Sequence, residues 1–144
     1  MRQPRIRLGR LLTRLTLKRL RTNRRPELGR RGEALAADYL KKQGYTIVEQ
    51  NVRSRLGEID LVAREKDCLV FVEVRTRRTG DFSPEESIGR PKQRKLASLG
   101  LQYMQRQRGA ESDWRIDIIA IEVDGQDQVV RLDHLKSAVS EQPD

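Results

Sequence analysis

Two short segments carry the chemistry this chain could perform: Gly57-Glu58-Ile59-Asp60-Leu61-Val62-Ala63 and Val70-Phe71-Val72-Glu73-Val74-Arg75. Each has the alternating, β-branched character of a strand, and each places acids where apolar alternation would otherwise run on. Only the residues around Glu65-Lys66-Asp67-Cys68 separate them, which predicts one antiparallel hairpin. With a turn of two residues (Lys66, Asp67) or of four, Asp60 stands directly opposite Glu73 and Glu58 opposite Arg75. Ile59, Leu61 and Ala63 then share an apolar face with Val70, Val72 and Val74, and the charged residues take the other face with Val62, Leu69 and Phe71. Carboxylates facing each other across a sheet repel. The pattern therefore calls for a cation or a shared proton between them, and hard oxygens on rigid strands suit Mg²⁺ or Mn²⁺. The bland alternative is a solvent-facing cluster of salt bridges on an amphipathic hairpin.

The elements that must position this hairpin are legible on both sides of it. Glu27 to Gln43 reads as a helix with Leu35, Ala36, Tyr39 and Leu40 toward the core and Gly44 as its stop. Tyr45 to Val52 is rich in strand formers. Residues 77–90 carry Gly80, Pro84 and Gly89 and read as a mobile loop. Pro91 suits the first turn of a second helix over 91–107, with Leu96, Leu99 or Gly100, and Tyr103 on one face. Trp114 to Val123 reads as a strand, Asp124-Gly125 as a turn, Val129 to Leu132 as a short strand, and 133–140 as a final helical turn. Asp117 is expected to be exposed or capping, His134 an ordinary surface residue, and Trp114 and Tyr103 core residues. Cys68 reads as a small packing residue. The order α-β-β-β-α-β-β predicts an α/β domain around a mixed sheet.

The 144 residues suffice for one domain with a real core. No apolar run approaches the roughly 20 residues of a membrane span. A single cysteine permits no internal disulfide and suits a reducing cytoplasm, and one histidine makes a structural zinc site a poor expectation.

The formal charge of +9 resolves into two unlike parts. Residues 1–25 hold ten Arg/Lys and no acid, whereas 26–144 hold twenty Arg/Lys against twenty-one Asp/Glu. The domain boundary is set accordingly, with residues 1–26 a basic extension, weakly ordered or helical, and 27–144 the folded domain. Leu8, Leu11, Leu12 and Leu15 have helical spacing among the tail's arginines, so nucleic acid, a membrane surface or a targeting role are all compatible with it. Within the body, Arg75, Arg77 and Arg78 with Arg90, Lys92, Arg94 and Lys95 form one local basic patch.

Gly29-Arg30-Arg31-Gly32-Glu33-Ala34-Leu35-Ala36, Gly57-Glu58-Ile59-Asp60-Leu61-Val62-Ala63, Val72-Glu73-Val74-Arg75-Thr76-Arg77 and Lys92-Gln93-Arg94-Lys95-Leu96 together resemble the YraN family of uncharacterised bacterial proteins. The resemblance spans about residues 28–135. That family in turn resembles archaeal Holliday-junction resolvases and other PD-(D/E)xK nucleases, which implies a restriction-endonuclease-like α-β-β-β-α-β core. By position Asp60 matches the aspartate of the nuclease signature, Glu73 its glutamate and Glu33 the first-helix acid of the resolvases. Gln93 matches a polar position on the second helix. Arg75 stands where the lysine belongs. Arginine stays charged at any usable pH and cannot act as a general base, though it can orient water or steady developing charge.

The resemblance thus implies a metal-dependent endonuclease acting on DNA, in particular branched DNA, by phosphodiester hydrolysis. Asp60, Glu73 and the Val74 carbonyl would hold Mg²⁺ or Mn²⁺. Arg75 would contact the phosphate, and Glu33 would reach in from the first helix. Arg30, Arg31, Arg77, Arg78, Arg90, Lys92, Arg94 and Lys95 are the candidate nucleic-acid contacts. Junction cutters commonly work in pairs, which makes a homodimer compatible with this activity. Two other functions fit the same residues: a nucleic-acid-binding module of this fold without turnover, marked by Arg75, and a small protein-interaction domain.

Overall fold

A computed structural model describes residues 25–81, 88–107 and 113–139. Residues 1–24 of the basic extension and 82–87 of the expected loop fall outside these residues, and Arg77 and Arg78 continue a strand where the loop was expected to begin. The chain runs α1 (Arg25–Lys42), β1 (Thr46–Ser54), β2 (Gly57–Glu65), β3 (Cys68–Arg78), α2 (Arg90–Arg106), β4 (Trp114–Val123) and β5 (Val129–Val139). The five strands form one sheet in the order β1-β2-β3-β4-β5. Every neighbouring pair is antiparallel except β3 and β4, which run parallel. Parallel neighbours need a crossover connection, and α2 supplies it. This is an α/β fold with a mixed sheet flanked by two helices, in a restriction-endonuclease-like α-β-β-β-α-β arrangement.

Two apolar layers hold the helices to opposite faces of the sheet. Leu35, Ala36, Tyr39 and Leu40 of α1 pack with Leu61, Ala63, Val70, Val72, Ile119, Ile121 and Leu132. Leu96, Leu99 and Tyr103 of α2 pack with Ile59, Val62, Phe71, Ile116 and Ile118. Both faces of β2–β4 are therefore buried, which explains their nearly continuous apolar runs. Trp114 is half-buried against the α2 layer, where a Cβ on Gly100 would come within 2.6 Å of its ring. Only glycine permits that approach. Cys68 packs partly buried against the α1 layer.

Ile59 departs from the expected apolar face. It joins the α2 layer with Val62, while Leu61 and Ala63 join the α1 layer. Strict alternation would place Ile59 and Leu61 together, so the side-chain alternation of β2 breaks at Asp60.

The last strand also differs from expectation. Residues 133–139 continue β5 in place of a helical turn, pairing Asp133 with Ala120, His134 with Ile119 and Leu135 with Ile118. The polar spacing that suggested a helix reflects a register shift between Ile116 and Ile118, with Ser137 at φ 50°. Asp117 and His134 are buried, at 0% and 4% exposure, and not surface residues. His134 Nε2 lies 2.8 Å from Asp117 Oδ2, and its Nδ1 lies 3.1 Å from the Tyr39 hydroxyl. Arg115 Nε and the Ser137 amide each donate to Asp117 Oδ1 at 3.0 Å. Burial alone would raise the Asp117 pKa, but the bonds from His134, Arg115 and Ser137 outweigh it and hold the carboxyl below its ordinary value. Among the described residues, no helix is long and apolar enough to cross a membrane.

Candidate functional site

The hairpin closes with the expected two-residue turn, Glu65 pairing with Cys68 across Lys66 and Asp67. Lys66 takes a positive φ of 53° there. From this turn the ladder runs through Ala63–Val70 to Leu61–Val72, and that is its last pair. The expected direct opposition of Asp60 to Glu73 and of Glu58 to Arg75 is therefore not a ladder pairing. Along the other edge of their strands, Glu73 and Arg75 pair with Ile118 and Ala120 on β4, and Glu58 pairs with Arg53 on β1.

Where the ladder ends, a side chain takes over. The Val74 amide donates to Asp60 Oδ2 at 2.8 Å. A backbone donor that a sheet partner would have used is satisfied by the carboxylate, so Asp60 is tied to β3 beside Glu73. The register read from the sequence is right up to Leu61. It fails beyond because a carboxylate competes with the backbone for the Val74 donor.

Glu73 is 5% exposed. Its Oε1 lies 3.6 Å from Arg75 Nη1 and 3.5 Å from Lys92 Nζ. Arg75 thus projects to the same side of β3 as Glu73, and Lys92 reaches across from the first turn of α2. That turn is set by Gly89 as N-cap and by Pro91, with no side-chain cap. Despite two cations, the Glu73 pKa is pushed up to about 7, first by burial and then by the charge of Asp60. Asp60 is likewise raised, chiefly by burial, against the lowering effect of the Val74 bond.

Glu33 approaches from α1. A Cβ on Gly32 would overlap Thr76 Oγ1, so glycine lets α1 lie close on β3 one residue before Glu33. Burial first, then the charges of Asp60 and Glu58, raise the Glu33 pKa to about 7, with Arg30 opposing. Three carboxyls from three elements thus each bear the cost of burial, and the charge of Asp60 adds to it at Glu33 and at Glu73.

Two participants were not foreseen. Asn51, at φ 52° in β1, has its amide NH₂ facing Glu58 Oε1 at 2.8 Å and Glu33 Oε2 at 3.0 Å in the orientation that satisfies all three. An asparagine inside a run of strand formers was the available signal, since asparagine tolerates a positive φ better than its neighbours. Lys92 was expected on the nucleic-acid path, yet it contacts Glu73.

The remaining site candidates are dispersed. Gln93 Nε2 donates to the Ile88 carbonyl at 3.3 Å, bracing the start of α2. Arg78 pairs with Asp127, and Arg77 Nη1 donates to the Thr76 carbonyl at 2.9 Å. Arg90, Arg94 and Lys95 are exposed on α2, and Arg30 is exposed on α1 with Arg31 half-buried.

Among the described residues, no group of three or more His, Cys, Asp or Glu side chains converges as a metal-holding set. Asp60 and Glu73 nevertheless suit a hard divalent ion chemically. They are adjacent carboxyls raised chiefly by burial, with the charge of Asp60 adding at Glu73, and Mg²⁺ commonly takes only one or two carboxylates with several waters.

Residues 32–121 match the sequence profile described as Uncharacterised protein family UPF0102. The chain is 48% identical over 115 residues to a UPF0102 protein of Chloroflexus aurantiacus, covering 79% of this chain and 93% of that one. It is 39% identical over 113 residues to one from Caldicellulosiruptor saccharolyticus, covering 78% and 96%. A third, from Desulfosudis oleivorans, is 43% identical over 111 residues, covering 76% and 89%. The matched span contains Glu33, Asp60, Glu73, Arg75 and Lys92, and it ends inside β4. This chain belongs to the UPF0102, or YraN, family of uncharacterised bacterial proteins, related by fold to the PD-(D/E)xK nucleases.

Proposed function

We propose that the protein is a metal-dependent endonuclease acting on DNA, branched DNA in particular, by phosphodiester hydrolysis. The observation that carries this reading is the Asp60–Glu73 pair, fixed side by side where β2 and β3 part. Neither acid contributes to the apolar layers, and burying both stays costly even with Arg75 and Lys92 beside Glu73, a cost that a divalent ion would relieve. Mg²⁺ or Mn²⁺, held by Asp60, Glu73 and the Val74 carbonyl, would supply Lewis-acid polarisation of the phosphate and a more acidic water.

The chain's own groups do the rest. Val74 N–H orients Asp60. Glu33, with a pKa of about 7, can hold or release a proton near neutral pH on the α1 side. Arg75 keeps a fixed positive charge beside Glu73 for the phosphate. Arg77, Arg90, Arg94 and Lys95 would follow the DNA backbone, setting position without reading sequence. DNA work of this kind belongs in the cytoplasm, which the single cysteine also suits.

The test is an assay with branched, single-stranded and duplex DNA in Mg²⁺ and Mn²⁺. Cleavage by the intact protein, lost with Asp60→Ala and with Glu73→Ala, supports the reading. Salt-sensitive DNA binding that survives both changes, without cleavage, would instead mark a binding module of the same fold.

A further inference from the structure

We infer that Lys92, on α2, is the amine of this site and orients the attacking water, leaving Arg75 on β3 to hold the phosphate. The inference rests on the nuclease reading above and assigns a residue within it. Two cations approach a single oxygen of Glu73: Arg75 Nη1 at 3.6 Å and Lys92 Nζ at 3.5 Å. They arrive from different elements, β3 and the first turn of α2. Both distances lie at or beyond the limit of a good hydrogen bond, so neither cation is locked to that oxygen.

The two cations are not equivalent. Arg75 is planar and permanently charged, suited to a phosphate held through two parallel bonds. Lys92 ends in a compact amine on a flexible stem, with donors that can rotate toward a water. Its side chain is 33% exposed, against 22% for Arg75 and 5% for Glu73, so Lys92 is the more open of the two cations on this oxygen.

The position of Lys92 is built, not incidental. Pro91 and the Gly89 cap fix where α2 begins, and Gln93 braces that start on Ile88. Leu96 and Leu99 anchor the next turns in the buried layer beneath β3. In the hydrolysis, the water oxygen forms a new bond to phosphorus as the bond to the leaving sugar oxygen breaks. One water proton passes overall to that sugar oxygen. Lys92 holds the water during the exchange and emerges unchanged.

The experiment uses the full chain, with Lys92→Met, Arg75→Lys and the double variant, each assayed for DNA cleavage and for Mn²⁺ binding by calorimetry without DNA. Lys92→Met should lower cleavage on the order of 100-fold. It should leave Mn²⁺ affinity unchanged or tighter, because a cation competing for Glu73 is gone. Arg75→Lys in the Lys92→Met background should recover about ten-fold, since it returns an amine to the same oxygen. Unchanged cleavage in Lys92→Met overturns the assignment, as does loss of Mn²⁺ binding in that variant or failure of Arg75→Lys to rescue. Absence of cleavage by the unaltered protein overturns the nuclease reading itself, and the assignment with it.

Discussion

The 2.8 Å bond from the Val74 amide to Asp60 Oδ2 begins where the β2–β3 ladder stops. It replaces a strand-to-strand bond with a strand-to-carboxylate bond, so sheet and site share one donor. Asp60 is thereby oriented before any ligand arrives. Preorganisation of this kind lowers the cost of binding.

Burial and mutual repulsion set the pH behaviour of the metal-free protein. Glu33 and Glu73 are raised from an ordinary value of 4.5 to about 7. The folded chain therefore binds protons more tightly than the unfolded chain between those values. Their contribution to stability is full below 4.5 and is lost as pH rises through about 7. Divalent binding runs the other way, strengthening over the same range as the protons leave. Glu73→Gln removes the buried charge, so at pH 8 without metal it should melt higher than the unaltered protein, by about 2–4 °C. It should also lose any Mn²⁺-dependent rise. Thermal melts at pH 5.5 and 8, with and without Mn²⁺, decide this; a Gln variant that melts lower at pH 8 contradicts it.

The sequence carried the fold because its patterns are local. Strand runs, the Gly44 stop and Pro91 each announce an element from neighbouring residues. The hairpin register was legible to Leu61–Val72 for the same reason, since a two-residue turn fixes pairing. What was not legible depends on distant partners. Asp117 looked exposed because it alternates with isoleucines, but Arg115, His134 and Ser137 satisfy it inside the protein. His134 lies 17 positions from Asp117 and 95 from Tyr39, a separation that no local pattern encodes. Lys92 likewise read as one more basic residue until α2 brought it to Glu73.

Gly32 tests how α1 delivers Glu33. Alanine is normally the better helix residue, by about 1 kcal/mol. Here its Cβ would overlap Thr76 Oγ1 and push α1 away from β3. Gly32→Ala should destabilise by about 1–3 kcal/mol, the scale of overpacking, and weaken any Glu33-dependent activity. Adding Thr76→Ala should recover part of the loss in urea titrations. Additive losses would show that the two residues do not press on each other.

The Asp117 network should bear on stability and not on chemistry. It lies among Arg115, His134, Tyr39 and Tyr45 in the α1 layer, where Asp117 pairs with Val72 and its carboxylate is taken up by Arg115, His134 and Ser137. Asp117→Ala leaves Arg115 and His134 without their carboxylate and should cost about 3–5 kcal/mol, as for a broken buried ion pair. The Asp117 pKa is lowered in the fold, so this stabilisation is present above 3.8 and is lost as pH falls through the folded value. Acid unfolding should therefore shift to higher pH in Asp117→Asn. Acid titrations followed by circular dichroism would detect that shift.

Salt dependence separates the tail from the body as sources of DNA affinity. Residues 1–25 hold ten basic residues and no acid, while the remainder carries twenty basic against twenty-one acidic. Without the tail the body has no surplus positive charge, only the local patch around Arg77, Arg90, Arg94 and Lys95. Each phosphate contact released to salt should change the slope of log K against log salt by about 0.9. Removing residues 1–25 should thus weaken duplex binding and flatten the slope, whatever the DNA sequence. The paired change Arg94→Ala with Lys95→Ala should flatten it by at most about 1.8 units and should also slow cleavage, because those residues sit on the helix that presents Lys92. If truncation leaves affinity and slope unchanged, the tail does not touch DNA. The local patch must then account for all the phosphate contacts.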